Sequence, residues 1–233
     1  MAQKRSKSPA PDAPRPAANY VRRSAYSIRA NSQRIGKPIS LPRAERIALR
    51  EWANLNGKRI PFDFVDKFKP IGSGAEHRVY YDQAHGLAVK VTLGNAFGHS
   101  AFAPDVRATP SEYLRRLAWS NLILGDEFKI IGVAFDEGEH IEIVSSHKWI
   151  EGHKERSVPS DKEIHDYFAR FGFRSVGSNP DVPLFYHDGF DLLLVDAHDT
   201  NVIRDAKGEL AAIDVVIGRP GPVLRTELHL PGH

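Results

Sequence analysis

The chain has 233 residues, 41% hydrophobic and 26% charged, enough to bury one sizeable core or a small two-lobed domain. No apolar run approaches the roughly 18 residues that span a bilayer. Cysteine is absent, which excludes a disulfide scaffold, thiolate-ligated metal and thiol catalysis. The formal charge of +3 conceals a division, because residues 1–50 carry +10 and the remainder −7. The basic character therefore belongs to an arm and not to the body.

Residues 1–40 form that arm. Residues 1–18 are Pro, Ala, Lys and Ser with little to bury and are expected to be disordered, and residues 19–40 show no clear period. The arm lacks the apolar stretch of a secretory signal, so a cytoplasmic setting is expected. Two roles compete for it, a solubilising tail and a non-specific contact with nucleic-acid phosphates. Residues 41–60 hold an accessory helix: Ala44, Ile47, Ala48, Trp52 and Leu55 recur at helical spacing and Asn56-Gly57 stops them.

From residue 61 the texture changes to short strands. Phe64–Ile71, Arg78–Asp82 and Leu87–Thr92 read as an antiparallel meander with a Gly-containing turn and a four-residue connection. Thr109-Pro110-Ser111-Glu112 opens a helix that runs to Gly125. Phe128–Phe135 and His140–Ser146 are strand-like, Ser160–Phe171 is a short helix, and Asp191–Val195 and Glu209–Val216 are buried strands around a polar loop.

Three stretches carry candidate chemistry. In Ile71-Gly72-Ser73-Gly74-Ala75-Glu76-His77-Arg78-Val79 the glycines serve positive φ, or they let the backbone of Gly72, Ser73 and Gly74 approach phosphate oxygens with Val79 over a purine. The stretch is no P-loop, since no Gly-x-x-x-x-Gly-Lys-Ser/Thr occurs. Lys90, in Leu87-Ala88-Val89-Lys90-Val91, is a solvent-facing residue of an alternating strand or a cation that reaches α- and β-phosphates. The second role needs a carboxylate to hold the lysine, and Glu112 is the only glutamate between residues 91 and 126. Glu112 is equally a first-turn acid favoured by the helix dipole.

The third stretch places Asp196 after a buried strand, Asn201 five residues later and Asp214 thirteen beyond that. Each alone is an ordinary turn residue. As a set they supply what phosphoryl transfer needs, a carboxylate to orient a hydroxyl and take its proton, and hard oxygens for Mg²⁺. His198 reads as a loop-shaping residue, since no second histidine lies at ligand spacing.

Together these residues resemble the protein-kinase-like superfamily. Gly72-x-Gly74…Val79 is similar to its glycine-rich loop, Ala88-Val89-Lys90 to its lysine strand, Asp196…Asn201 to its catalytic loop and Asp214 to its metal-binding aspartate. The Asp-x-His-x-x-Asn form resembles aminoglycoside-phosphotransferase-type enzymes more than eukaryotic protein kinases. Thr109–Leu117, Asn121…Gly125-Asp126, Ser145–Gly152, Glu163-Ile164…Phe171-Gly172-Phe173 and Ile213-Asp214 are similar to the kinase-like domain of bacterial and phage polyvalent proteins, over roughly residues 64–217.

The resemblance implies an α+β, two-lobed fold over 61–233. Its N-lobe is an antiparallel β-structure with one main helix (about 61–145), followed by a hinge and a reduced C-lobe (about 146–233). It implies ATP and Mg²⁺ as cofactors, Lys90 held by Glu112, Asp196 as the catalytic carboxylate, and Asn201 and Asp214 on the metal. Ser145–Ile150 becomes the interlobe hinge, with Ser146 and His147 at adenine and Val144 backing the pocket. Departures are His77 in place of the third glycine, Leu194-Val195 before Asp196, Val215-Val216 after Asp214, and only 19 residues beyond Asp214. An activation segment and peptide-docking helical platform are therefore not expected. The expected activity is ATP- and Mg²⁺-dependent phosphotransfer to an unidentified hydroxyl, on a small molecule, a protein or the chain itself. The alternatives are an inactive nucleotide-binding interaction module and a nucleic-acid-associated protein of a mobile element.

Overall fold

The computed structural model describes residues 12–102, 106–152, 158–179 and 182–231. Its first element corrects the expectation of a disordered arm, since Pro14–Arg34 forms a 21-residue helix, α1. Ala17, Ala18, Val21 and Ala25 share one stripe and are buried in the upper core. The stripe is built of small residues between arginines, so it carries little hydropathy yet allows close helix packing. Residues 1–11 of the expected arm lie outside the described residues. If α1 is structural, Val21→Ala lowers the unfolding free energy by about 1–3 kcal/mol, while Arg22→Ala on the exposed face stays within about 0.5 kcal/mol. Urea titration of the two variants checks this.

The accessory helix is α2 (Leu41–Leu55), capped by Ser40, whose Oγ accepts from the Arg43 N–H at 3.4 Å. It buries Ala44, Ala48, Leu49, Trp52 and Ala53. The strands β1 (Arg59–Ile60), β2 (Lys69–Ser73), β3 (His77–Asp82), β4 (Leu87–Thr92), β5 (Lys129–Phe135) and β6 (Ile141–Lys148) form a six-stranded sheet in the order β1-β5-β6-β4-β3-β2. The expected strand from Phe64 starts later, because Phe62–Val65 is a 3₁₀ turn. Phe64, Val65 and Phe68 pack with Val89, Val91 and Val144 on the outer sheet face, a spacing that suits a turn better than an alternating strand. The β3–β4 connection is set by Asp82 Oδ1, which accepts from the Ala84 and His85 N–H groups, and by Gly86 at φ 63°.

Helix α3 (Pro110–Ile123) packs against the inner sheet face and buries Tyr113, Leu114 and Leu117. Below it lie α4 (Asp161–Ala169), β7 (Arg174–Asn179), β8 (Val182–His187), β9 (Leu192–Val195), β10 (Val202–Arg204), β11 (Leu210–Ala212), β12 (Val216–Gly218) and α5 (Pro222–Glu227). A four-stranded sheet runs β12-β9-β8-β7, and β10-β11 is a separate hairpin. The expected strand Glu209–Val216 is broken into β11 and β12, with Asp214 in the gap. The pair β7–β8 was not anticipated.

The lower core joins Phe168, Phe173, Phe185, Leu192 and Leu194, and Trp119 and Ile123 of α3 pack against it. The molecule is thus a two-lobed α+β structure in which α3 touches both cores. Among the described residues no helix is long and apolar enough to cross a membrane.

Candidate active site

Strand β4 places Lys90 opposite Val79 of β3 and Ser145 of β6. Its side chain turns inward to 6% exposure, which rules out the solvent-facing reading. The Nζ donates to Ile213 O at 2.7 Å and to Asp214 Oδ1 at 3.0 Å. Burial pushes the Lys90 ammonium below its ordinary range, and the Asp214 carboxylate opposes that shift. For Asp214 burial acts to raise the pKa, but Lys90, His77 and Arg116 outweigh it and hold the carboxyl well below the usual range.

Glu112 does not hold Lys90, which corrects the expected ion pair. It closes a capping box with Thr109, accepting from the Thr109 N–H at 2.7 Å. The residue that α3 sends into the site is Arg116, one turn further on. Its Nη1 donates to Glu76 Oε2 at 2.5 Å, Nη2 to Asp214 Oδ1 at 2.9 Å and Nε to Val215 O at 3.2 Å. Glu76 sits just after the glycine turn and is buried. Its Oε1 accepts from the His99 N–H at 2.6 Å, and Gly98, at φ 80°, leaves the space its carboxylate fills, since a Cβ there would stand 2.6 Å from it. Burial raises Glu76, but Arg116 prevails and keeps it below the ordinary carboxylate value. Accordingly, Glu112→Ala costs about 0.5–2 kcal/mol as a lost cap and leaves the Lys90–Asp214 contact intact. Urea unfolding beside the double variant with Lys90→Met, whose effect should then simply add, separates the two.

Sequence reasoning missed Glu76 and Arg116. The signal for Arg116 was its position four residues after Glu112, on the same side of α3. The Thr109-x-x-Glu112 spacing already marked Glu112 as a cap. His77, which stands in place of the third glycine, turns inward and is buried. Its Nε2 lies 3.0 Å from Tyr113 Oη, and its Nδ1 is buried 3.7 Å from Asp214 Oδ2 without a hydrogen bond. Burial depresses its pKa, opposed by Asp214.

The adenine-side expectations change too. Strand β6 continues to Lys148, so Ser146 and His147 are ladder residues, opposite Val89 and Ala88, and not part of a hinge loop. Val144 packs with Val89 and Val91 on the outer face, away from Lys90. His147 lies on the Lys90 side against Phe128, ring centroids 4.6 Å apart. Burial, followed by the nearby Lys90 charge, pushes its pKa down to about 3, so this imidazole is neutral. Gly72 and Ser73 end β2 opposite Val79 and Arg78, and Gly74 N donates to His77 O at 2.9 Å.

Asp196 leaves β9 at φ 62°, a left-handed conformation that aspartate tolerates better than most residues. Asn201 Nδ2 donates to both Asp196 O at 3.0 Å and Asp196 Oδ2 at 2.9 Å. His198 Nδ1 lies 2.8 Å from Thr200 Oγ1 and its Nε2 3.2 Å from Asp196 Oδ1. Asn201 Nδ2 also lies 3.1 Å from His198 Nε2, so the imidazole packs against the Asp196–Asn201 pair, and the hydrogen bond that orients the Asp196 carboxylate is the one to Oδ2. The hairpin β10–β11 sets Val202 opposite Ala212, and Ile213 N donates to Asn201 O at 2.8 Å. Asn201 and Asp214 therefore stand at the same open end of one hairpin. The structure joins Lys90 to Asp214 and Asn201 to Asp196, links the two pairs through the Ile213 N–H to Asn201 O bond, and places Glu112 in its cap and Val144 on the outer sheet face.

The family model described as "Serine/Threonine/Tyrosine Kinase found in polyvalent proteins" matches residues 43–218. No curated protein and no solved structure matches the chain.

Proposed function

The chain belongs to this family of kinases found in polyvalent proteins, and from that premise we propose that it transfers the γ-phosphoryl group of MgATP to a hydroxyl acceptor. The observation that carries the reading is the single hairpin presenting both Asn201 and Asp214 beside buried Lys90. The donor set fits magnesium. Asp214 Oδ1 is taken by Lys90 and Arg116, but no hydrogen bond takes its Oδ2 or the Asn201 Oδ1 among the described residues, and these are the hard oxygens that Mg²⁺ prefers. When bound, magnesium neutralises charge on the phosphates.

The glycine turn fits a phosphate cover. Neither Gly72 nor Gly74 has a positive φ, and a Cβ at either would meet nothing within 4 Å. Conformation and internal packing thus leave both glycines unexplained, and close approach of a ligand remains. Lys90 uses two of its three N–H donors internally and offers the third to phosphate oxygen. Asp196, whose Oδ2 accepts from Asn201 Nδ2, takes the acceptor's proton. A need for ATP supports a cytoplasmic setting as part of this reading.

The test is incubation with γ-labelled and α-labelled ATP. The reading expects the γ label on an acceptor or on the chain itself, and loss of transfer in Lys90→Ala and Asp214→Asn. Transfer unchanged in those variants overturns it, as does incorporation of the α label. A second reading, nucleotide binding without transfer, draws on Lys90 and Arg116 both occupying Asp214 Oδ1. A rise in Tm with MgATP and no labelled product selects it. Separately, Arg22, Arg23 and Arg34 stay exposed on α1, a basis for non-specific nucleic-acid contact that salt-independent binding would remove.

A further inference from the structure

His77 opens β3, directly after the glycine turn, and is 3% exposed. Its two ring nitrogens have different surroundings. Nε2 lies 3.0 Å from Tyr113 Oη, and that hydroxyl lies 3.3 Å from Ser145 Oγ. Nδ1 has no hydrogen-bond partner among the described residues. It nevertheless faces two carboxylates, Asp214 Oδ2 at 3.7 Å and Glu76 Oε2 at 3.9 Å. A buried polar atom left in that state is costly and calls for an explanation.

The arrangement is that of a metal-ligating histidine. One ring nitrogen is fixed by an outer hydrogen-bond partner, which orients the ring, and the other is presented to the ion. His77, Glu76 and Asp214 each offer a ligand atom, and these atoms lie within 4.8 Å of one another. Glu76 is the least available of the three, because its oxygens already accept from Arg116 Nη1 and the His99 N–H. Asp214 is the most available. Lys90 and Arg116 take its Oδ1, its Oδ2 is turned toward His77, and its side chain is 32% exposed. Two ligands of one ion, each about 2.1 Å from it, stand about 3–3.5 Å apart. The 3.7 Å between His77 and Asp214 therefore closes with a small side-chain shift.

We infer that His77 Nδ1 is a ligand of the metal ion that Asp214 holds, and that this nitrogen makes the site prefer Mn²⁺ to Mg²⁺. The inference rests on the phosphotransferase reading for the metal–nucleotide complex, and it adds a ligand which that reading lacks. Mg²⁺ demands near-ideal octahedral oxygen coordination and gives up its waters reluctantly. Imidazole nitrogen suits first-row transition ions, and among them Mn²⁺ also accepts carboxylate and carbonyl oxygens, such as those of Asp214 and Asn201. Lys90 and Arg116 place two positive charges beside Asp214, which oppose a bare cation. Binding is therefore expected to need a polyphosphate that offsets them.

The experiment uses the full chain with ¹⁵N-labelled histidine, Mn²⁺ and the non-hydrolysable β,γ-methylene analogue of ATP, read by pulsed electron paramagnetic resonance. The expected result is the ¹⁵N coupling of a directly bound imidazole, which the ¹⁴N atoms of the analogue do not give. His77→Gln is expected to remove the coupling and to lower the preference for Mn²⁺ over Mg²⁺ at least about ten-fold, read by displacing Mn²⁺ with Mg²⁺. His198→Gln, in the loop beside Asn201, is expected to keep the coupling. Mn²⁺ bound with the analogue but without a ¹⁵N coupling in the wild-type protein overturns the inference and leaves the phosphotransferase reading standing. A coupling that survives in His77→Gln overturns it as well. So does a coupling lost in His198→Gln, whether or not the His77 variant folds. If neither Mn²⁺ nor Mg²⁺ binds with the analogue, the phosphotransferase reading falls and the inference falls with it.

Discussion

Replacing Asp196 with asparagine is expected to lower the rate of γ-phosphoryl transfer by about 10²–10⁴-fold, the usual contribution of a positioned general base, with MgATP affinity unchanged. Asparagine is the informative substitution because the residue sits at φ 62°, and asparagine shares aspartate's tolerance of that region. The backbone N–H and C=O contacts of the loop, including Asn201 Nδ2 to Asp196 O, are then retained. Alanine would add roughly 1–2 kcal/mol of left-handed strain and confuse a fold effect with a chemical one. Single-turnover transfer beside calorimetric titration of MgATP reads both quantities. A rate within three-fold of wild type would remove Asp196 from the chemistry.

The largest expected effect on stability comes from Arg116→Met, about 3–5 kcal/mol by urea unfolding, the usual cost of removing one partner of a buried ion pair. Arg116 is 6% exposed and its donors go to Glu76, Asp214 and Val215 O. Without it, Glu76 keeps its burial and loses the charge that offsets it. The double variant with Glu76→Gln should recover part of the loss, and that recovery measures the coupling.

The pH dependence has a definite sign. Glu76 and Asp214 both have folded pKa values below their unfolded ones, so the stability they contribute is complete above the ordinary carboxylate range near pH 4. That stability is lost as pH falls through the depressed values. In Arg116→Met burial dominates at Glu76, and acid then relieves the buried charge. The stability loss between about pH 4 and pH 2 is expected to shrink. An undiminished acid slope in the variant would mean that other carboxylates control it.

The catalytic-loop spacing of Asp196 and Asn201, the strand around Lys90 and the capped start of α3 were readable because each is a local pattern. A cap needs its acid three residues on, and an alternating strand shows its period over six residues. Helix α1 was not readable, because its buried face is mostly alanine and arginine dominates the average. The pair β7–β8 lacked a strong period, because Arg174–Asn179 is mostly polar and Val182–His187 runs apolar without alternation. The partner of Lys90 was misassigned because opposite charges at helical spacing do not reveal which one faces inward.

What the sequence determined by itself is therefore the family, the α+β order and the identity of the phosphate-transfer candidates, all encoded in short spacings. What the tertiary structure alone decided is the wiring of charge. Lys90 is held by Asp214 of a hairpin 124 residues away, and Arg116 by Glu76 at a separation of 40. Long-range pairing of buried charges depends on which side chains share a dehydrated space. That is settled by packing of helix on sheet and is invisible to any local period.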